Sequence, residues 1–197
     1  MLRTLSLADL FTLANAASGV LTIFVCLGYL DQGSPPLWVV FVLLPLAFVF
    51  DALDGRVARW RHAQSPLGGD LDSLADVISF GVAPAVVGFT LGLRGGWDAL
   101  VLTYFVTCGV ARLARFNVTA GDLDDGSGKV KYFEGTPIPT SLAVVAVFGV
   151  AWGMGAVREA LWLGHLVIGP WELHPMVLLF AISGTGMISA RLRIPKL

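Results

Sequence analysis

Four aspartates, Asp51, Asp54, Asp72 and Asp76, lie in or directly against long apolar runs. Asp51 and Asp54 are three residues apart, and Asp72 and Asp76 are four apart. Either spacing places both carboxylates on one face of a helix. An aspartate at the centre of a membrane helix costs about 2.5–3.5 kcal/mol on an insertion scale, and less near an interface. Four acids facing one another also repel, so the arrangement needs a water-filled cavity, basic partners or bound cations. Hard oxygen ligands of this kind suit Mg2+ or Mn2+. Two such ions a few ångströms apart form a clamp for phosphoryl transfer. The alternative is a set of interfacial acids paired with Arg56, Arg59 and Arg61. Asp70 lies about 200° around a helix from Asp72 and stays outside the set. Gly55 and Gly68 have no side chain to block a phosphate, ribose or base from the backbone, although close helix packing explains each glycine alone equally well.

The elements that must carry these groups are membrane helices. Of 197 residues, 56% are hydrophobic and 14% charged, with a mean hydropathy of +0.78. A soluble domain carries roughly 25% charged residues, so a water-soluble globule, a disordered chain and a nucleic-acid-binding domain are all excluded. A net charge of −1 leaves useful charge only in local clusters. Cys26 and Cys108 sit in apolar runs and read as packed thiols, too few for a disulfide framework and wrongly spaced for zinc. A spanning helix needs about 20 apolar residues. Six candidates occur, near residues 10–30, 37–60, 71–91, 97–116, 138–154 and 175–192. The expected fold is an all-α integral membrane protein of six transmembrane helices, a single membrane domain over residues 1–197. No cleavable signal peptide is expected, because no small-residue cleavage site follows the apolar stretch after Arg3.

With the N-terminus in the cytoplasm, eleven of the thirteen basic residues fall on the cytoplasmic side, and only Arg94 and Arg158 fall outside. Both termini and the four acids are then cytoplasmic. Residues 155–174, with Trp162, His165, Trp171 and His174, read as an interfacial helix or an extension of the fifth span. The histidines read as interfacial groups rather than metal ligands.

From Asp51 the sequence runs D-A-L-D-G-R-V-A-R, then eight residues, Gly68, three residues, Asp72, three residues and Asp76. This resembles the signature of the CDP-alcohol phosphatidyltransferase family, D-x2-D-G-x2-A-R-x8-G-x3-D-x3-D. All eight fixed positions match: Asp51, Asp54, Gly55, Ala58, Arg59, Gly68, Asp72 and Asp76. The resemblance implies a six-helix membrane enzyme, usually a homodimer, in which an alcohol displaces CMP from a CDP-linked lipid. It implies two divalent cations, Mg2+ or Mn2+, held by Asp51, Asp54, Asp72 and Asp76, with Asp76 also taking the proton of the attacking hydroxyl. It places Thr12, Asp54, Gly55, Ala58, Arg59, Ser65 and Gly68 at the CDP-lipid. The family often has Asn-x-x-Thr in its first span, and here Asp9 replaces the Asn before Thr12.

Other stretches are similar to the branch whose acceptor is L-serine: Thr12 to Asn15 followed by Gly19, Asp72 to Pro84, Cys108 to Asn117, and Tyr132 to Pro139 with Thr136 in place of the usual Leu. The implied donor is CDP-diacylglycerol. Arg112 and Arg115, three apart, suit a carboxylate or a phosphate, and Asn117 adds a neutral hydrogen bond. Both arginines read equally as anchors that snorkel to the interface, and they do not choose the acceptor by themselves. Glycerol 3-phosphate, inositol phosphate or choline, or an archaeal-type lipid donor, would use the same chemistry. Outside that chemistry stand a divalent-cation transporter, whose acids would lie near mid-membrane, and a non-catalytic scaffold. Asp122, Asp124 and Asp125 depart from a calcium loop at Gly126 and Phe133. Asn117-Val118-Thr119 matches a glycosylation acceptor but falls on the expected cytoplasmic side.

Overall fold

A computed structural model of the chain describes residues 6–61, 67–122, 132–189 and 193–195. The described residues are mostly helical and divide into two compact units, Met1–Val87 and Gly88–Leu197. The first contains α1 (Leu7–Gln32), α2 (Val40–Arg61) and α3 (Gly68–Asp76). A wide π turn, Val77–Val82, continues α3 into α4 (Ala83–Leu91), and the boundary between the units falls within α4. The second unit contains α5 (Gly96–Asp122), α6 (Ser141–Gly153) and α7 (Leu178–Ile188). It also holds two antiparallel strand pairs: β1 (Tyr132–Glu134) with β4 (Arg193–Pro195), and β2 (Leu166–Ile168) with β3 (Trp171–Leu173).

Each of the six expected apolar segments contains a helix among the described residues, the sixth only as far as Ile188. Four of them, Leu7–Gln32, Leu37–Val57, Gly68–Leu91 and Gly96–Val118, are long and apolar enough to cross a membrane. The other two, Ile138–Gly153 and Pro175–Ile188, are shorter than the about 20 residues a straight span takes.

α1 shows how the sequence builds the first unit. Its start is a capping box: the Asp9 amide donates to Ser6 Oγ at 3.2 Å, and the Ser6 amide donates to Asp9 Oδ2 at 2.6 Å. Its end is Gly33, in the left-handed region at φ 70°, with its amide bonded to the Tyr29 carbonyl at 3.0 Å. The buried stripe is Ala8, Asp9, Thr12, Asn15, Ser18, Gly19, Thr22, Val25 and Cys26, whereas Leu10, Leu13, Leu21, Phe24 and Leu27 are exposed. This inverts a soluble helix. It is the arrangement expected in lipid, where small and polar residues mediate helix contact and large apolar ones meet acyl chains. The stripe packs on α2, α3 and the π turn.

In the second unit α5, α6 and α7 meet through aromatic rings. Phe105 and Phe180 stand edge to face at 5.1 Å, and Phe148 tilts against Phe180 at 5.7 Å. Arg115 Nη1 donates to the carbonyl of Ile188 at 3.3 Å, satisfying a group that the end of α7 would otherwise leave open.

Residues 155–174 correct the expectation of a helix. Only a single short turn, Arg158–Ala160, is helical, and the β2–β3 hairpin follows. Leu163, Gly164 and Gly169 all take positive φ, which an α-helix does not accommodate. The hairpin is fastened to the start of α5. Trp97 Nε1 donates to the Ile168 carbonyl at 2.9 Å, and the Trp97 and Trp171 rings meet edge to face at 5.4 Å. His174 is buried against Asp98, and the His165 ring lies 5.8 Å from that of His174.

Candidate active site

Three helices of the first unit position the acids. α2 carries Asp51 and Asp54, α3 carries Asp72 and Asp76, and α1 lies against both helices. Asp51, Asp72 and Asp76 converge: each offers a carboxylate oxygen, and these oxygens all lie within 4.8 Å of one another. Asp76 is buried and the other two are half-buried. Asp54, also buried, is not in that group of three. It is close enough for its charge to repel that of Asp72, and its Oδ2 accepts a hydrogen bond from Thr12 Oγ1 at 2.8 Å.

The donors around the acids come from α1. Thr12 Oγ1 bonds Asp54, and Asn15 Nδ2 donates to Asp76 Oδ1 at 3.3 Å. Asp72 Oδ1 is buried with no hydrogen-bond partner among the described residues. Three mutually repelling carboxylates, all-oxygen donors and one orphaned acceptor are a poor protein-only arrangement. They fit a hard divalent cation, whose charge would offset the repulsion and whose coordination would satisfy the orphan. The alternative pairing with Arg56, Arg59 and Arg61 has no ion pair among the described residues; the side chains of Arg59 and Arg61 lie outside that description.

The other expected site residues divide by location. Gly55 is on α2, near Asp51 and Asp54 in sequence, and Gly68 opens α3. The backbones of Ala58 and Arg59 are helical, while their side chains lie outside the described residues, as does all of Ser65. Arg112, Arg115 and Asn117 are on α5 in the second unit. The Arg112 guanidinium lies 5.9 Å from the centre of the Phe116 ring, Arg115 reaches the end of α7, and Asn117 is exposed. Asp9, where the family often has Asn, is buried, and its carboxylate serves the capping box of α1. Asn15, with no role assigned from sequence, joins the acids through Asp76, and Ser79 stands behind it, its Oγ donating to the Asn15 carbonyl at 2.8 Å. The signal for Asn15 was the spacing of Thr12, Asn15 and Gly19, which share one helical face.

An acid cluster on two helices of one unit, cross-braced by hydroxyl and amide donors from a third, is a group that could hold a metal ion rather than a lone structural ion pair. The chain belongs to the CDP-alcohol phosphatidyltransferase family, whose model matches residues 5–171. It is 45% identical, over 205 aligned positions, to the CDP-diacylglycerol–serine O-phosphatidyltransferase of Saccharomyces cerevisiae, covering 100% of this chain and 72% of that protein. It is 39% identical over 147 positions to the archaetidylserine synthase of Methanothermobacter thermautotrophicus, covering 73% of this chain and 58% of the relative. A Helicobacter pylori CDP-diacylglycerol–serine O-phosphatidyltransferase is 38% identical over 141 positions, covering 71% and 55%. The chain thus spans little more than half the length of the last two relatives.

Proposed function

We propose that this chain transfers the phosphatidyl group of CDP-diacylglycerol to the hydroxyl of L-serine, giving phosphatidylserine and CMP. The observation that carries the reading is the convergence of Asp51, Asp72 and Asp76 within a fully matched family signature. Two divalent cations, Mg2+ or Mn2+, suit the all-oxygen donor set of Asp51, Asp54, Asp72 and Asp76; when bound they would offset the charge of the diphosphate. Asp76 takes the proton of the serine hydroxyl as its oxygen bonds to the lipid-side phosphorus. The bond from that phosphorus to the bridging oxygen breaks, and CMP departs with the electron pair. Thr12 holds Asp54 in place, and Gly55 and Gly68 let the nucleotide approach the backbone. Ala58 and Arg59 are assigned to the CDP-lipid from the family signature, and Ser65 from the wider family resemblance. Arg112, Arg115 and Asn117 are assigned to the acceptor on their chemistry, since a guanidinium suits the serine carboxylate.

The donor's acyl chains remain in the bilayer. The relative named archaetidylserine synthase supports testing an ether-linked donor beside the ester one. The basic residues support a cell membrane location with both termini and the acids at the cytoplasmic face, and the family resemblance supports a homodimer. The test is CMP release by purified protein from CDP-diacylglycerol and Mn2+, with a panel of acceptors. Release that depends on L-serine, with phosphatidylserine as product, is expected. Release that depends instead on glycerol 3-phosphate, inositol phosphate or choline would move the acceptor assignment. Ion flux in liposomes without any CMP release would replace the enzyme with a transporter.

A further inference from the structure

We propose that Asn15 is a positioning residue: from α1 it orients the Asp76 carboxylate toward the acceptor hydroxyl. The inference rests on the transferase reading above. Asn15 is completely buried, and its Nδ2 donates to Asp76 Oδ1. An amide donor on one oxygen restrains rotation of the carboxylate plane. Asn15 is itself held from the same side. Ser79, three residues beyond Asp76 and buried in the π turn, donates its hydroxyl to the Asn15 carbonyl at 2.8 Å. π turns within helices recur at functional sites.

Gly19 permits this contact. A Cβ there would lie 2.5 Å from Ser79 Oγ and 2.8 Å from Ser79 Cα, so only glycine allows α1 to come this close. The two hydrogen bonds of Asn15, to Asp76 and from Ser79, together with the close approach of Gly19 to Ser79, therefore lock α1 onto residues 76 and 79. Packing alone does not account for the amide. Asn15 Oδ1 is buried without a partner among the described residues, and an apolar side chain of similar shape would avoid that desolvation cost. The polar group is explained by what its nitrogen does to Asp76.

The experiment compares full-length wild type with Asn15→Leu, Asn15→Asp and Ser79→Ala in Mn2+-containing micelles. It measures kcat, the serine KM, CDP-diacylglycerol binding and thermal stability. Misplacing a reacting group by about 1 Å can cost on the order of 100-fold. Asn15→Leu is expected to lower kcat by about 10–100-fold, with serine KM, CDP-lipid binding and melting temperature near wild type. Asn15→Asp has the same shape but no donor, and should lose at least as much turnover; it carries the test if the leucine variant does not fold. Ser79→Ala should lower kcat by a smaller factor. Turnover of Asn15→Leu near that of wild type would overturn the inference alone. So would a parallel loss of turnover, lipid binding and melting temperature, which marks a purely structural residue. A wild type that releases no CMP would overturn the transferase reading and this inference together.

Discussion

Among the described residues, Asp98 of the second unit and the acid cluster of the first treat a carboxylate in opposite ways. In the second unit Asp98 is fully buried and surrounded by donors. The Gly95 amide reaches Oδ2 at 2.9 Å, the His174 amide reaches Oδ1 at 2.8 Å, and His174 Nδ1 lies 2.6 Å from Oδ2. Every donor comes from a neighbouring turn or from the residue that follows the hairpin, so the carboxylate ties the start of α5 to the start of the segment leading into α7. In the first unit Asp51, Asp72 and Asp76 face one another, and Asp72 keeps a buried oxygen unpartnered among the described residues. A buried carboxylate with a complete donor shell is a structural device. Carboxylates that repel and stay under-satisfied need a partner from outside the chain. Burial alone therefore does not mark a functional acid; the state of its donor shell does.

Substitutions can break or sharpen this contrast. The largest effect belongs to Asp76→Asn, which keeps the shape and the Asn15 neighbourhood but removes the proton acceptor. Serine-dependent CMP release should fall by about 10²–10⁴-fold, the usual contribution of a positioned general base, with the melting temperature retained. Next comes the response to cation. Mn2+ at a hundredfold excess over its dissociation constant should stabilise wild type by about 2.7 kcal/mol, read as a rise in melting temperature. Asp72→Asn should lose that rise while being no less stable than wild type without metal, because neutralising one acid relieves repulsion from Asp51 and Asp54. Asp98→Ala should do the reverse: a loss of about 1–3 kcal/mol for each stranded donor, with the Mn2+ response intact. Smallest is Thr12→Val, which removes one hydroxyl donor from Asp54 and should cost about 1 kcal/mol in thermal unfolding, with a modest rise in the CDP-lipid KM.

Most of the acid site was legible in the sequence because it is local. Residues 51 and 54, and 72 and 76, sit at helical spacings on neighbouring helices, and a helix converts such spacing directly into a shared face. The Thr12, Asn15 and Gly19 spacing of α1 entered only as a family-like motif, although it too places the three on one helical face. The partners of that face were not legible. The Thr12–Asp54 and Asn15–Asp76 bonds join residues 42 and 61 positions apart, and helix periodicity says which face is polar but not which neighbour it meets. The hairpin at 166–173 was hidden for a different reason. Its strands are three residues long, too short for an alternation signal, and the tryptophans fitted an interfacial helix equally well. What decides the structure there is positive φ at Leu163, Gly164 and Gly169 and the reach of Asp98 to His174 across 76 positions.

The most direct measurement is the number of Mn2+ ions held by purified protein in the presence of CMP, by electron paramagnetic resonance, in wild type and in Asp51→Asn and Asp72→Asn. Two bound ions per chain in wild type, with spin coupling that disappears in either variant, is the predicted result. Wild type that binds none, or binding that is unchanged when either aspartate is neutralised, would contradict the account.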